Sequence, residues 1–587
     1  MFRRQLLISS LLLFSVAAKA QTGNISSPAT PGAGDPSLVP LSNTNVSVRA
    51  PAVPTNTADQ EGKIKFRTQT ILIQVPIVVT DKSGNHIHGL TKQDFHVFEN
   101  GKEQKVASFE EIVTTNTKLP VVAPKSGEFT NLALSDQQPR PVTVIALDTI
   151  NTPFLDQYTG RRAVVKYLAD NLDSGQILAL MVMTSHGLKV VQGLTGDREQ
   201  LVQLLKKASG EMPAMPGLDP DVQAKAAVGD IPELPTNIDR PFVAAAAFIA
   251  YGDTFTASFQ QPKAIEETLN GFLEIAWSLS GIPGRKSLIW ATGGFPFEIS
   301  SPAQIASQGS FASLYQRTMQ ALDAAQISVY PVDVRGLVAN SPMGSAVSVA
   351  GPTGAGIAQE IHERNWLLQS TLYSLDEFAD MTGGKAFYNT NDLASSMKRA
   401  AEDGSSYYLA GYYLDTHNKN SGWRQLKVKV DKNGTEVRAR EGFFVTNATM
   451  NPDVTRSSDL TYALSSPIEG TGVPLSMKWL GTSGEGANKK AEFLLHMPAD
   501  GLSIESHNGQ NHLNFDFAAV AYLTNGKTGK AINTVGKAIN TIVPDGTRGI
   551  DMKNALELGP GNYVVRVVVR DNVTGKIGSV TAPLTVY

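Results

Sequence analysis

Val142-Thr143-Val144-Ile145-Ala146-Leu147-Asp148 is an apolar run that ends on a carboxylate, with Asn151-Thr152 just beyond it. A run of this length without polar alternation reads as a strand buried on both faces, the kind found in parallel sheets. The sequence downstream repeats the theme. Helical periodicity covers about 155–171, 177–183 is a second apolar strand, and 187–191 reads as a short edge strand. Thr195-Gly196-Asp197 opens another helix with a capping pattern. Helices over about 262–280 and 310–325 precede the strands 286–290 and 327–333, and helices near 365–382 and 391–402 flank a short strand at 385–388. Such alternation predicts an α/β unit with a mostly parallel, Rossmann-type sheet and helices on both faces. Strands at 407–414, 425–430 and 436–440 are expected to close this unit, which spans 141–447. Within it, 209–260 is rich in Pro and Met and reads as an insertion, and 336–359 as a Gly/Ser/Ala loop.

The flanks have a different character. Arg3-Arg4, an apolar run over 6–18 and Ala18-Lys19-Ala20 read as a secretory signal peptide over 1–20, which implies export to the periplasm, the cell surface or the medium. The run is shorter than the roughly 20 residues that span a bilayer, and no other stretch approaches a transmembrane segment. Residues 21–64 are Ser, Thr, Asn, Pro and Gly with scarcely an aromatic, and are expected to form a disordered leader. Residues 65–113 read as a small β-rich module, with Thr91 and Asp94 as a helix cap and Asn100-Gly101 as a hairpin turn. A loop of about 25 residues with three prolines follows. From 452 to 587 helical periodicity is replaced by alternating strands, which predicts a β-sandwich-like domain with Tyr563 as a corner tyrosine. Within it, the repeat of 529–534 at 536–541 reads as a local duplication in a hairpin or loop.

Several functions are disfavoured by composition. The 587 residues carry a net charge of -3, which does not suit a phosphate-binding surface, so nucleic acid is not an expected partner. The absence of cysteine removes thiolate zinc sites, iron–sulfur clusters and cysteine nucleophiles. Gly351-Pro352-Thr353-Gly354-Ala355-Gly356 has the glycines of a phosphate loop but is followed by Ile357-Ala358 instead of Lys and Ser/Thr. His362-Glu363 starts like a zincin helix, yet the second histidine position is Trp366. His86 and His88 have the i, i+2 spacing of a strand metal site but no third ligand nearby, and His507 and His512 read as surface histidines. No Gly-x-Ser-x-Gly elbow occurs. The aromatic pairs Tyr407-Tyr408, Tyr412-Tyr413 and Phe443-Phe444 should alternate, sending one of each pair into the core.

In combination these segments resemble the exported von Willebrand factor A-related proteins typical of acidobacteria. The resemblance rests on Val79-Thr80-Asp81, Gly89-Leu90-Thr91, Asp94-Phe95 and Phe98-Glu99-Asn100-Gly101 in the first module. In the central unit it rests on Leu147-Asp148, Asn151-Thr152, Trp290-Ala291-Thr292-Gly293-Gly294, Tyr330-Pro331-Val332-Asp333, Thr382-Gly383-Gly384 and Arg440-Glu441-Gly442-Phe443-Phe444. It implies a von Willebrand factor A-like domain holding Mg²⁺ or Mn²⁺ at the carboxyl ends of its strands, through an Asp-x-Ser-x-Ser loop, a distant Thr and a later Asp. Asp148 and Thr152 are the metal positions retained. Ile150 replaces the first Ser, Thr292-Gly293-Gly294 stands where the later Asp belongs, and 209–222 lacks a Gly-Gly-Thr. The implied metal-ion-dependent adhesion site is therefore degenerate. The expected function is non-enzymatic recognition of a protein or cell-surface ligand, with no catalytic residue and no cofactor. Two alternatives stand beside it. One is a metal-dependent adhesin in which Thr149, Asn151 or Thr292 substitutes around Asp148; the other is an extracellular hydrolase.

Overall fold

The computed structural model describes residues 39–40, 45–48, 72–114, 126–131, 138–152, 154–171, 176–197, 199–204, 262–295, 311–337, 371–414, 422–445, 452–484, 488–507, 510–524, 530–544 and 546–587. The 1–20 segment, the 209–260 insertion, most of the 336–359 loop, the 351–356 glycines and His362 to Trp366 lie outside them. The chain is mixed α/β with several sheets.

Two leader segments, β1 (Val39–Pro40) and β2 (Asn45–Val48), come first. Then follow β3 (Leu72–Asp81), β4 (Phe95–Glu99), β5 (Lys102–Gln104), β6 (Ser108–Val113) and β7 (Glu128–Thr130). The central unit contains β8 (Val142–Asp148), α1 (Phe154–Asp170), β9 (Ile177–Thr184), β10 (Gly187–Thr195), α2 (199–204) and α3 (262–279). It continues with β11 (Lys286–Thr292), α4 (Ala312–Ala324), β12 (Ile327–Asp333), α5 (371–382) and α6 (Leu393–Glu402).

These five strands form one sheet in the order β10-β9-β8-β11-β12. All neighbours are parallel except the edge pair β10 and β9. Both faces are covered. Val142, Val144 and Trp290 pack against Phe272 of α3, Met319 of α4 and Phe378 of α5. Ile145, Ile289 and Tyr330 pack against Val164 of α1 and Met397 of α6. That double burial is why the strands read as unbroken apolar runs.

The three strands expected to close this unit do something else. β13 (Ser406–Tyr413) inserts between β3 and β6, antiparallel to both. β14 (Gly422–Val430) pairs with β4, β15 (Thr435–Arg438) with β3, and β16 (Gly442–Val445) with β14. Two four-stranded antiparallel sheets result, β15-β3-β13-β6 and β16-β14-β4-β5, around Val75, Ile77, Val97, Tyr408 and Leu426. The 65–113 module is thus half of a unit completed after residue 405, with the central α/β unit set into it. The physical reason lies in the edges. Without β13, the facing sides of β3 and β6 would leave rows of unpaired N–H and C=O groups.

The reading that one tyrosine of each pair faces inward fails at Tyr407-Tyr408, where both are buried. Tyr408 enters the β core and stacks near Phe95 and Phe109, while the Tyr407 hydroxyl accepts from the Arg285 amide of the central unit. β13 is therefore covered on both faces. Phe443 and Phe444 are likewise both buried, whereas Tyr412-Tyr413 behaves as expected, with Tyr413 56% exposed. A polar knot ties the units together: Arg285 donates to the Tyr330 hydroxyl, which donates to Asp403, and Arg438 adds two bonds to the same carboxylate.

The C-terminal part opens with a helix, α7 (Pro452–Ser465), where none was expected. Leu460, Ala463 and Leu464 form its apolar stripe, wedged between Leu273 and Trp277 of α3 and the outer side of the strands carrying Val520 and Val568. Then come β17 (Ser476–Ser483), β18 (Lys489–Pro498), β19 (Ile504–His507), β20 (Gln510–Leu523), β21 (Lys530–Val543), β22 (Gly549–Leu558), β23 (Gly561–Asp571) and β24 (Ile577–Val586). They build two sheets that share one apolar core. The Tyr563 hydroxyl donates to the Gly559 carbonyl at 2.9 Å, tying the start of β23 to the turn before it.

Three expectations change here. The 536–541 repeat and all but the first residue of its 529–534 partner lie in one continuous strand, β21, instead of a hairpin or loop. The inter-unit loop contributes β7 to the edge of β17. The leader is not without structure throughout: β1 and β2 pair with β21 and β22. Edge pairing satisfies backbone groups without burying side chains, so a polar, aromatic-poor segment can supply it.

Candidate functional site

The order of the central sheet reverses between β8 and β11. From β8 the chain proceeds outward to β9 and β10, then returns on the other side with β11 and β12. Loops leaving β8 and β11 diverge at such a point, and open α/β sheets place ligand sites there. Asp148 ends β8 and Thr292 ends β11, one step past the paired Leu147 and Ala291. The first predicted site residue therefore stands at the switch point.

Asp148 is 2% exposed. Its Oδ1 accepts from the amides of Ile150 at 2.9 Å and Asn151 at 3.0 Å. Its Oδ2 accepts from Asn151 Nδ2 at 2.8 Å, Trp290 Nε1 at 2.9 Å and Thr292 Oγ1 at 2.9 Å. Four N–H groups and the Thr292 hydroxyl thus surround both oxygens, the hydroxyl's one proton also having the Gly294 carbonyl in reach at 2.8 Å. Two of the N–H groups are backbone amides of the kind that favour an ionised carboxylate. Burial pushes the carboxyl up from its ordinary value, and the Asn151, Thr292 and Trp290 donors pull it back. Four of the five are N–H groups that cannot accept, so the surroundings are built for the ionised carboxylate.

Thr152 faces the same strand end: its Oγ1 accepts from the Gly293 amide at 2.9 Å. Asp148 and Thr152 are therefore brought together, each on a protein donor of the β11 end. Thr149 turns away, its Oγ1 donating to the Met183 carbonyl of β9. Ile150 packs against the core. Asn151 Nδ2 also reaches Thr268 Oγ1 of α3 at 2.8 Å, and its Oδ1 is enclosed without a donor among the described residues. The neighbouring strand end repeats the design with charge. Asp333 closes β12, fully buried, and both its oxygens accept from Arg335, Nε at 2.8 Å and Nη2 at 2.7 Å.

The fit of a divalent cation follows from these contacts. Mg²⁺ or Mn²⁺ needs about six oxygen ligands in octahedral array, with their lone pairs free. At Asp148 those directions are occupied by N–H and O–H groups, which would point their positive ends at the ion. Among the described residues, Asn151 Oδ1, one amide oxygen, is the remaining enclosed acceptor, and Ile150 offers none. The described residues at this strand end do not fit a metal of this kind.

No protein-family model matches the chain, and no curated protein matches it.

Trp290 and Thr268 are the participants that the sequence reading did not place in the site. The signal for Trp290 was an indole in a strand buried on both faces, whose N–H must find an acceptor. Its ring is locked edge-on against Phe272, Phe295 and Phe378, with centroids 5.0 to 5.9 Å apart. Thr268 had no comparable signal, because α3 lies 117 residues from Asn151 in sequence. Among the described residues the histidines do not assemble into a site: His86 faces Asp403 at 3.6 Å, and His88 bonds Glu111 at 3.0 Å. His507 and His512 sit on the β19–β20 hairpin. On α5, burial and the nearby Glu441 push Glu377 up to about 7 and Asp380 up to about 6.

Proposed function

We propose that this chain is an exported, non-enzymatic recognition protein whose central unit is a von Willebrand factor A-like domain with a degenerate metal-ion-dependent adhesion site. In this reading it is flanked by an antiparallel β unit whose strands lie on both sides of the central unit in sequence, and by a C-terminal β-sandwich. The ligand is a protein or cell-surface group, met by the loops at the carboxyl ends of the central sheet. The observation that carries the proposal is Asp148, placed at the switch point of a mostly parallel sheet with five protein donors on its carboxylate. Strand order supports the same family reading, since β8 lies central and the one antiparallel strand, β10, at the edge.

A carboxylate closed in this way serves the loop, not a ligand. It fixes the β8 and β11 turns against each other, so that the loops beyond them leave from a rigid base. Loops on rigid scaffolds are where recognition residues concentrate. The alternative in which Thr149, Asn151 or Thr292 substitutes as a metal ligand loses support. Thr149 and Thr292 are committed to other bonds, and Asn151 aims its amide nitrogen at the carboxylate.

The test is retention of the full chain, fluorescently labelled, on envelope preparations of the cells that make it, in chelator and in Mg²⁺. Saturable retention that is equal in both supports the proposal. Retention only with Mg²⁺ would restore the metal-dependent adhesin, and no saturable retention would remove the recognition function.

A further inference from the structure

A cleft of about 290 Å³ lies away from the Asp148 site, where α3 and α4 of the central unit meet α7 and the turn between β23 and β24. Its floor is apolar, with Leu273, Ala276, Trp277 and Ala321. Its walls carry more positive than negative charge. Asp459, buried on α7, is shared by two guanidinium groups: its Oδ1 accepts from Arg317 Nη2 and its Oδ2 from Arg570 Nε, the latter at 2.8 Å. One carboxylate thus answers two cations. Arg456 forms its own pair with Asp516 through Nε and Nη2. Lys576, exposed on the turn, has no carboxylate within ion-pair range among the described residues.

The arrangement leaves donors facing the space. Arg317 Nε and Nη1, and Arg570 Nη2, have no acceptor among the described residues, while Asp459 fixes both side chains in position. Arg570 is held further by Nη1 on Asn572 Oδ1 at 2.8 Å. Positioned guanidinium N–H groups from two arginines can each give one charge-assisted N–H···O bond to a shared carboxylate. The rest of the wall mixes Ala324 and Val573 with amides and hydroxyls, among them Gln316, Gln320 and Thr574, which suit a ligand that carries hydroxyl groups. An apolar floor with an indole suits the C–H face of a ring. Pockets for small ligands favour such junctions between units, and the size is that of a one-ring compound.

From these features we infer that the cleft binds a sugar acid, with its carboxylate on Arg317, Arg570 and Lys576 and its ring over Trp277. The ligand is either a free uronate or the terminal uronate of an acidic polysaccharide, which share this chemistry.

Isothermal titration of the full chain with galacturonate, with glucose and with short oligogalacturonates tests the assignment. Galacturonate or its oligomers should bind and glucose should not; binding by oligomers alone identifies the polymer as the source. Lys576→Gln, a change on an exposed turn, should weaken binding several-fold, and Arg317→Gln by about tenfold or more. A melting curve for each variant separates lost binding from lost folding. Binding of glucose as tight as galacturonate, binding unchanged in Lys576→Gln, or no heat from any uronate at millimolar concentration would overturn the inference.

Discussion

The indole nitrogen of Trp290 lies 2.9 Å from Oδ2 of Asp148, so the buried strand β11 donates a hydrogen bond to the carboxylate that ends β8. This bond makes the tryptophan part of the switch-point architecture as well as part of the core. It gives the substitution Trp290→Phe a sharp meaning, because the ring volume is largely kept while the donor is lost. The variant should unfold with about 1.5–3 kcal/mol less stability, the range for a hydrogen bond to a charged group. Denaturant unfolding measures it. A loss no larger than that of an ordinary aromatic core swap would mean the bond contributes nothing.

The composite β unit makes a prediction about boundaries. A fragment of residues 141–447 carries β13 to β16 but lacks their partners β3, β4 and β6. Tyr408, Tyr412, Leu426 and Phe443 would then face water. That fragment should aggregate or remain partly unfolded, whereas 65–447 should give a dispersed amide spectrum. A well-folded, monomeric 141–447 would contradict the split arrangement.

Much of the central sheet was legible because its strands are buried on both faces and its helices are periodic, so each element announced itself locally. The partners of β13 to β16 were not, since pairing of an antiparallel strand is decided by edges elsewhere in the chain. α7 was legible in retrospect. Pro452 opens it, and Leu460, Ala463 and Leu464 keep helical spacing, but the surrounding strand character masked it. At the site, Asp148 and Thr152 were visible from the loop pattern. Three of the donors on Asp148 come from the adjacent Ile150 and Asn151, but the other two come from Trp290 and Thr292, distant in sequence, and no local pattern carries that information.

Glu274 of α3 gives the stability a pH dependence. Burial pushes its carboxyl from 4.5 up to about 7, against a Ser466 hydroxyl that donates to it at 2.6 Å. The folded state therefore holds the proton more tightly than the unfolded chain. Its contribution is full below the unfolded value and is lost as the pH rises through about 7. Glu274→Gln keeps the acceptor for Ser466 without the charge. It should flatten the pH profile between 4.5 and 7 and raise stability at pH 8, by at most about 3 kcal/mol. Melting temperatures across that range decide it; an unchanged slope would show that Glu274 is not the source.

Gly384 sits where α5 hands over to the short segment beside β12. A Cβ there would meet the Val329 carbonyl oxygen at 1.9 Å, which neither backbone can relieve without moving. Gly384→Ala should cost several kcal/mol and sharply reduce the yield of folded chain. Gly193 is the control: it has open space around it and an ordinary φ, so Gly193→Ala should leave the melting temperature nearly unchanged. Equal melting temperatures for the two variants would show that the contact at Gly384 is not tight.

The most direct test of the proposal that the site is degenerate is thermal unfolding of the full chain and of Asp148→Ala, in chelator and with Mg²⁺, Mn²⁺ or Ca²⁺ added. A cation at 100 times its dissociation constant would add about 2.7 kcal/mol to the chain that binds it. Because the carboxylate is occupied by protein donors, the midpoint of the parent chain should be the same in all four solutions. Asp148→Ala should lower it by an equal amount in each, since the donors are left unpaired whatever ion is present. A rise in midpoint with one cation, abolished by Asp148→Ala, would contradict this account and make Asp148 a metal ligand.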